Sequence, residues 1–122
     1  MKTHLLVAED NPDIRLVVRL CLKRDGFEIT VANNGVEALA RIAERPPDAV
    51  LLDWMMPEMN GLEACARLKA DPATRDIPVI FLTAKSQVAE IQQGLAFGAI
   101  GFITKPFDAL TLGATVRGLL KA

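Results

Sequence analysis

The stretch Ala49-Val50-Leu51-Leu52-Asp53 decides the fold: four apolar residues in unbroken succession, then a carboxylate. A run of strand length that is apolar without alternation must be covered on both faces, as the strands of a parallel sheet are. Three more runs share the pattern: Leu5 to Ala8, Val79 to Leu82, and Ile100 to Ile103. Between them lie longer stretches with apolar residues at helical spacing, such as Ile14, Val17, Val18 and Cys21, and later Leu112, Val116, Leu119 and Leu120. Phe27 to Asn33 differs. Phe27, Ile29 and Val31 alternate there with Glu28, Thr30 and Ala32, which predicts an edge strand exposed on one side.

The punctuation agrees with a βα repeat. Asn11-Pro12 supplies an N-cap followed by proline at the first helical position, and Gly26 closes that helix, giving a span of about 12 to 25. Asn34-Gly35-Val36-Glu37 and Asn60-Gly61-Leu62-Glu63 each put Asn at an N-cap with Glu three residues on, a capping-box-like start. Pro46-Pro47 and Pro72 end those helices. Five strands and five helices in strict alternation predict an α/β fold, a doubly wound five-stranded parallel sheet, filling residues 1–122 as one domain. Gly113 and Gly118 fall inside the last helix and each costs it roughly 1 kcal/mol relative to Ala.

Composition narrows the function. The 122 residues carry 14 basic and 15 acidic side chains, a formal net charge of −1, and a pI near 5.8. A nucleic-acid module shows a basic face, so no direct contact with nucleic acid is expected. The longest candidate span, Gly94 to Ile103, falls well short of the ~20 apolar residues that cross a bilayer. The N-terminus has no signal-peptide core, because Glu9 and Asp10 interrupt it; a cytoplasmic location is expected. Cys21 and Cys65 lack metal spacing and read as small core residues, and His4 opens a strand at the end away from the site.

In an open parallel sheet ligands bind outside the carboxyl ends of the strands, where strand order reverses; for the order 2-1-3-4-5 that is between strands one and three. The strands end in Glu9-Asp10, Asp53, Thr83 and Lys105-Pro106. Three converging carboxylates repel one another by about 4 kcal/mol per pair at 4 Å and an effective dielectric near 20. Lys105 offsets one charge and a divalent cation the other two. With oxygen ligands only and few carboxylates, the expected ion is Mg²⁺. Asp53 is the candidate nucleophile for phosphoryl transfer, with Lys105 and the Thr83 hydroxyl as partners for the phosphoryl oxygens.

Read in order, four segments resemble the receiver domains of bacterial two-component response regulators, and the resemblance covers the whole chain. They are Val7-Ala8-Glu9-Asp10-Asn11-Pro12, Asp53-Trp54-Met55-Met56-Pro57-Glu58-Met59-Asn60-Gly61, Leu82-Thr83-Ala84, and Gly98 to Phe107 with its Lys105-Pro106. The resemblance implies a flavodoxin-like fold and a signalling module that is not an enzyme beyond its own phosphorylation and dephosphorylation. It implies that Asp53 takes a phosphoryl group from a sensor histidine kinase, a phosphotransfer protein or a small phosphodonor. It assigns Asp10, Asp53 and the backbone carbonyl of Met55 to Mg²⁺ directly, with Glu9 acting mainly through water. Thr83 and Phe102 would be the switch residues, Lys105-Pro106 a cis peptide, and the helix 4/strand 5/helix 5 face the contact for a downstream partner or output domain.

Some positions depart from the common pattern. Glu9 replaces the usual Asp, Phe102 lacks the hydroxyl of the frequent Tyr, and Ile100-Gly101 stand where acidic residues are common. Met55 and Lys85 occupy positions where the family often steers the hydrolytic water, which implies a long-lived acyl phosphate. Trp54, beside Asp53, is expected to be partly exposed and to report metal binding. Three other readings compete, one of them a pseudo-receiver that signals without phosphate, which the intact Asp53, Thr83 and Lys105 disfavour. A flavin-phosphate module is disfavoured by Glu9-Asp10 after strand one. A Mg²⁺-dependent phosphatase with an aspartyl nucleophile would place Asp-x-Asp there, where Glu9 and Asp10 are adjacent.

Overall fold

The computed structural model describes residues 2–84, 89–96 and 98–121, except for the side chains at 91, 93 and 94. Lys85, assigned above to the fate of the hydrolytic water, lies outside the described residues. The elements alternate as β1 (His4–Ala8), α1 (Pro12–Arg24), β2 (Glu28–Ala32), α2 (Gly35–Glu44), β3 (Ala49–Asp53), α3 (Gly61–Ala70), β4 (Val79–Ala84), α4 (Ile91–Ala96), β5 (Gly101–Lys105) and α5 (Leu112–Lys121). All strand pairs are parallel and the sheet order is β2-β1-β3-β4-β5.

Three of the four apolar runs are covered on both faces as expected; the fourth is not, since Ile100 is exposed and Gly101 and Phe102 are only half-buried on the edge strand β5. Leu6, Ala8, Val50, Leu52, Val79 and Phe81 point into a core closed by Ile42 of α2 and Leu68 of α3. Their neighbours Leu5, Val7, Ala49, Leu51, Ile80 and Leu82 point the other way, into a core closed by Val18 and Leu22 of α1 and Val116 of α5. The period-two geometry of a strand thus feeds two separate cores from the same sequence run.

The helix starts follow their caps. Asn11 Oδ1 accepts from Asp13 N and Ile14 N at 2.9 and 3.2 Å. Asn34 and Asn60 accept from Glu37 N and Glu63 N, each at 2.8 Å. Gly26, at φ 94°, turns the chain out of α1 and lets Phe27 N reach back to Leu22 O at 3.1 Å.

Two expectations, on β2 and on Gly113, need correction. β2 is an edge strand, but it has no bare face: all its residues except buried Ala32 are half-buried, because α1 and α2 each reach it from one side and its exposure comes from the open edge. The helices are unequal. Four span ten or more residues, whereas α4 has only six, since Gly94 weakens its propagation and Gly98, at φ 101°, ends it. Gly113 does more than weaken α5. A Cβ there would overlap the Asp25 carboxylate, so its absence lets α5 close onto the end of α1. Arg117 Nη2 then donates to Asp25 O at 2.6 Å while its guanidinium lies 4.2 Å from the Phe27 ring centroid, and Arg24 Nη2 donates to Ala109 O at 3.0 Å. Gly118 has open space around it and keeps only its cost to the helix.

Among the described residues, no helix is long and apolar enough to cross a membrane.

Candidate functional site: a carboxylate cluster clamped by one lysine

Adjacent β1 and β3 bring the predicted carboxylates together at their carboxyl ends. Glu9 N continues the sheet by donating to Ala32 O at 3.1 Å, which turns the Glu9 side chain inward, where it is 0% exposed. Asp53, at the end of β3, is 4% exposed, and Asp10 faces solvent. One carboxylate oxygen from each of Glu9, Asp10 and Asp53 lies within 4.8 Å of the others. From the far edge of the sheet, Lys105 reaches across. Its Nζ donates to Glu9 Oε1 at 2.8 Å and to Asp53 Oδ1 at 3.1 Å, and the peptide that follows it, Lys105-Pro106, is cis.

The surrounding backbone fixes this arrangement. Asn11 N donates to Glu9 Oε2 at 3.1 Å, Arg15 Nη1 to Glu9 O at 2.9 Å, and Met55 N to Asp53 Oδ1 at 3.4 Å. Gly61 comes so close that a Cβ would stand 2.5 Å from Asp53 O, and its N donates to Trp54 O at 3.1 Å. Among the described residues, no buried side-chain nitrogen or oxygen lacks a hydrogen-bond partner.

The charges do not balance. Three carboxylates and one ammonium leave −2 in a cavity of about 360 Å³. Burial first, and then the hydrogen bond and charge of Glu9, push the Asp53 carboxyl up to about 8 against the pull of Lys105. Burial opposes the charge of Lys105, but Glu9 and Asp53 outweigh it and raise the lysine. Asp10 feels some burial, yet hydrogen bonds from Asp53 and Glu9 hold its carboxyl below the usual range. A group of oxygens that prefers a proton over a third negative charge is one that a hard divalent cation can occupy in the proton's place. The donor set therefore fits Mg²⁺: hard oxygens from Glu9, Asp10 and Asp53, on a face left open to solvent.

The remaining predicted residues fall around this centre. Thr83 is buried, its Oγ1 donating to Ala84 O at 3.3 Å, and Ala84 lines the cavity. Phe102 is half-buried in register with Phe81 and packs on the α2/α3 core. Met55 is exposed at the rim. Trp54 is the clear correction: only 6% of it is exposed. Strand alternation sends it to the face opposite Asp53, where its ring stands edge-on to Phe81 at 5.1 Å and 86°. Its Nε1 donates to Glu90 Oε2 at 3.3 Å. Sequence reasoning missed Arg15 and the close approach of Gly61. The Asn60-Gly61 pair, a helix cap and the end of the Asp53-to-Gly61 segment that carries the resemblance, was the available signal.

Known proteins place this geometry. The model of the response regulator receiver domain matches residues 5–117. The phosphate regulon transcriptional regulatory protein PhoB of Pseudomonas aeruginosa is 42% identical over 117 residues, covering 96% of this chain and 51% of that protein. The DNA-binding response regulator MtrA of Mycolicibacterium smegmatis is 37% identical over 121 residues, covering 99% and 52%. The chain thus spans about half the length of these curated relatives. Among solved structures, the chemotaxis response regulator CheY4 of Vibrio cholerae superposes with a TM-score of 0.91 at 30% identity, covering 98% of this chain and 99% of that one. The Francisella response regulator 1452 receiver domain gives 0.87 at 32%, with 98% of each covered. The chain belongs to the response regulator receiver domains, the phosphorelay signalling modules of two-component systems.

Proposed function

We propose that residues 1–122 act as one receiver unit in which Asp53 is the phosphoacceptor. The observation that carries this reading is the Lys105 ammonium, held within 3.1 Å of Asp53 and 2.8 Å of Glu9 at the open end of the sheet. An Asp53 oxygen attacks phosphorus, the bond from phosphorus to the donor's imidazole nitrogen breaks, and the imidazole leaves with the electron pair. Transfer of this kind is helped mostly by placement and charge compensation. Glu9, Asp10, Asp53 and the backbone carbonyl of Met55 would hold Mg²⁺, which supplies positive charge to the phosphoryl oxygens. Lys105 moves its hydrogen bond from the Asp53 carboxylate to a phosphoryl oxygen, and Thr83 turns its hydroxyl to another. Phe102 then repacks over the space Thr83 leaves, and one of two arrangements gains population.

The donor is a histidine kinase or a phosphotransfer protein. It must dock where the cavity opens, beside an apolar groove lined by Ile14, Val17 and Phe107 that shares Lys105 with the site. The output contact is the α4/β5/α5 face, toward a downstream partner or a further domain. The DNA-binding in the name of MtrA belongs to that protein, and this chain, with its pI near 5.8, does not itself touch nucleic acid. It works in the cytoplasm as a signalling module.

Incubation with acetyl phosphate and Mg²⁺, followed by peptide mass spectrometry, tests the reading. One phosphoryl group on Asp53, absent in Asp53→Asn and without metal, is expected; modification elsewhere overturns it.

A further inference from the structure

One side chain at the mouth of the site can be changed by chemistry that the phosphorelay does not use. Met55 is 57% exposed. It lines the cavity with Asp10, Asp53 and Lys105, and its own N–H rests on Asp53 Oδ1. Met56 and Met59, in the same loop, are buried in the core. We propose that Met55 is a peroxide-modifiable position whose oxidation to the sulfoxide shortens the life of the acyl phosphate on Asp53. The proposal rests on the reading of Asp53 as phosphoacceptor and adds a control on that site.

The reason lies in which groups at the mouth can hold a water. Hydrolysis requires a water in line with the bond between Asp53 and phosphorus, arriving from the open side of the cavity. Lys105 and the carboxylates are bonded to one another, or to metal and phosphoryl oxygens once the site is loaded. Asn11 Oδ1 is engaged in capping α1. The side chains of Ile14, Met55 and Ala84 present hydrocarbon and a thioether to this cavity, and a thioether is only a weak acceptor. Among the described residues, then, the part of the rim formed by Ile14, Met55 and Ala84 holds a water poorly, which favours a long-lived acyl phosphate.

Oxidation reverses that at one atom. The sulfur lone pair attacks an oxygen of hydrogen peroxide, the O–O bond breaks, and the departing oxygen takes up a proton and leaves as water. Sulfur loses two electrons and keeps one oxygen. The product is a polar sulfoxide in place of an apolar side chain, and its oxygen can accept a hydrogen bond from the incoming water.

The test treats the full chain with dilute hydrogen peroxide, maps the added oxygen by peptide mass spectrometry, then phosphorylates with acetyl phosphate and Mg²⁺ and follows phosphoryl loss. Oxygen should appear on Met55 before Met56 and Met59. Loss should accelerate about fivefold, the equivalent of one net hydrogen bond, and a methionine sulfoxide reductase should restore the slow rate. Met55→Leu should lose phosphate at the same rate with and without peroxide. Met55→Gln, with an acceptor at similar length, should decay fast without it. Oxygen on Met56 or Met59 while Met55 stays unmodified overturns the proposal, as does an unchanged lifetime after Met55 is oxidised. An untreated control that takes no phosphoryl group on Asp53 overturns the phosphoacceptor reading, and this proposal with it.

Discussion

Removing the charge of Asp53 should stabilise the metal-free protein. At an effective dielectric near 20, Lys105 Nζ at 3.1 Å attracts an ionised Asp53 by about 5 kcal/mol. Glu9 and Asp10, with carboxylate oxygens within 4.8 Å, repel it by about 3.5 kcal/mol each, or about 7 together. The balance is about 2 kcal/mol against the charge, before the cost of burying it. The amide of Asp53→Asn keeps an oxygen for Lys105 and drops the repulsion. In EDTA near pH 9, where Asp53 is ionised, the variant should be more stable by about 2 kcal/mol, which moves the urea midpoint up by about 1 M. The pH dependence gives an independent check. Because folding raises the Asp53 pKa from 3.8 to about 8, the folded wild type binds more protons than the unfolded chain between those values. Its stability therefore falls as pH rises through that window, and the advantage of Asp53→Asn grows from about pH 4 to pH 8. Saturating Mg²⁺ should close the gap by binding the folded wild type alone. A variant no more stable than wild type in EDTA, or a difference indifferent to pH, would refute the electrostatic account.

Two further predictions follow from the same geometry. Mg²⁺ must displace the proton held by Asp53, so its apparent affinity should rise as pH goes from 6 to 8; Trp54 fluorescence should follow the titration, and Asp10→Asn should abolish the change. The α5 glycines should part company in thermal melts. Gly118→Ala should gain up to about 1 kcal/mol, while Gly113→Ala, which must displace the Asp25 carboxylate, should lose stability.

The parts of this molecule legible in the sequence are those fixed by local chemistry. Asn caps, the Gly26 stop and unbroken apolar runs each had one physical solution, and strand ends in a parallel sheet identify a site without any coordinates. Glu9, Asp10, Asp53 and Lys105 meet because β1 and β3 are neighbours and a lysine is long enough to span from β5. What stayed illegible depended on distant contacts. Gly113 looked like a defect until Asp25, far away in the chain, was found against it. Trp54 could have been placed in the core by extending the β3 alternation one residue past Asp53, but adjacency to a polar site suggested otherwise. The half-covered state of β2 required knowing how far α1 and α2 overhang the sheet edge.

Gly61 gives the site a direction. With no side chain between them, the first turn of α3 abuts the main chain of Asp53 and is tied to Trp54 O, so the end of β3 has an anvil behind it on the α3 side. In the proposed role of Asp53, a group added there would push forward and sideways, toward Thr83, Lys105 and the β4–β5 flank, rather than back against α3. The lopsidedness of that proposed response would be set by a missing methyl group.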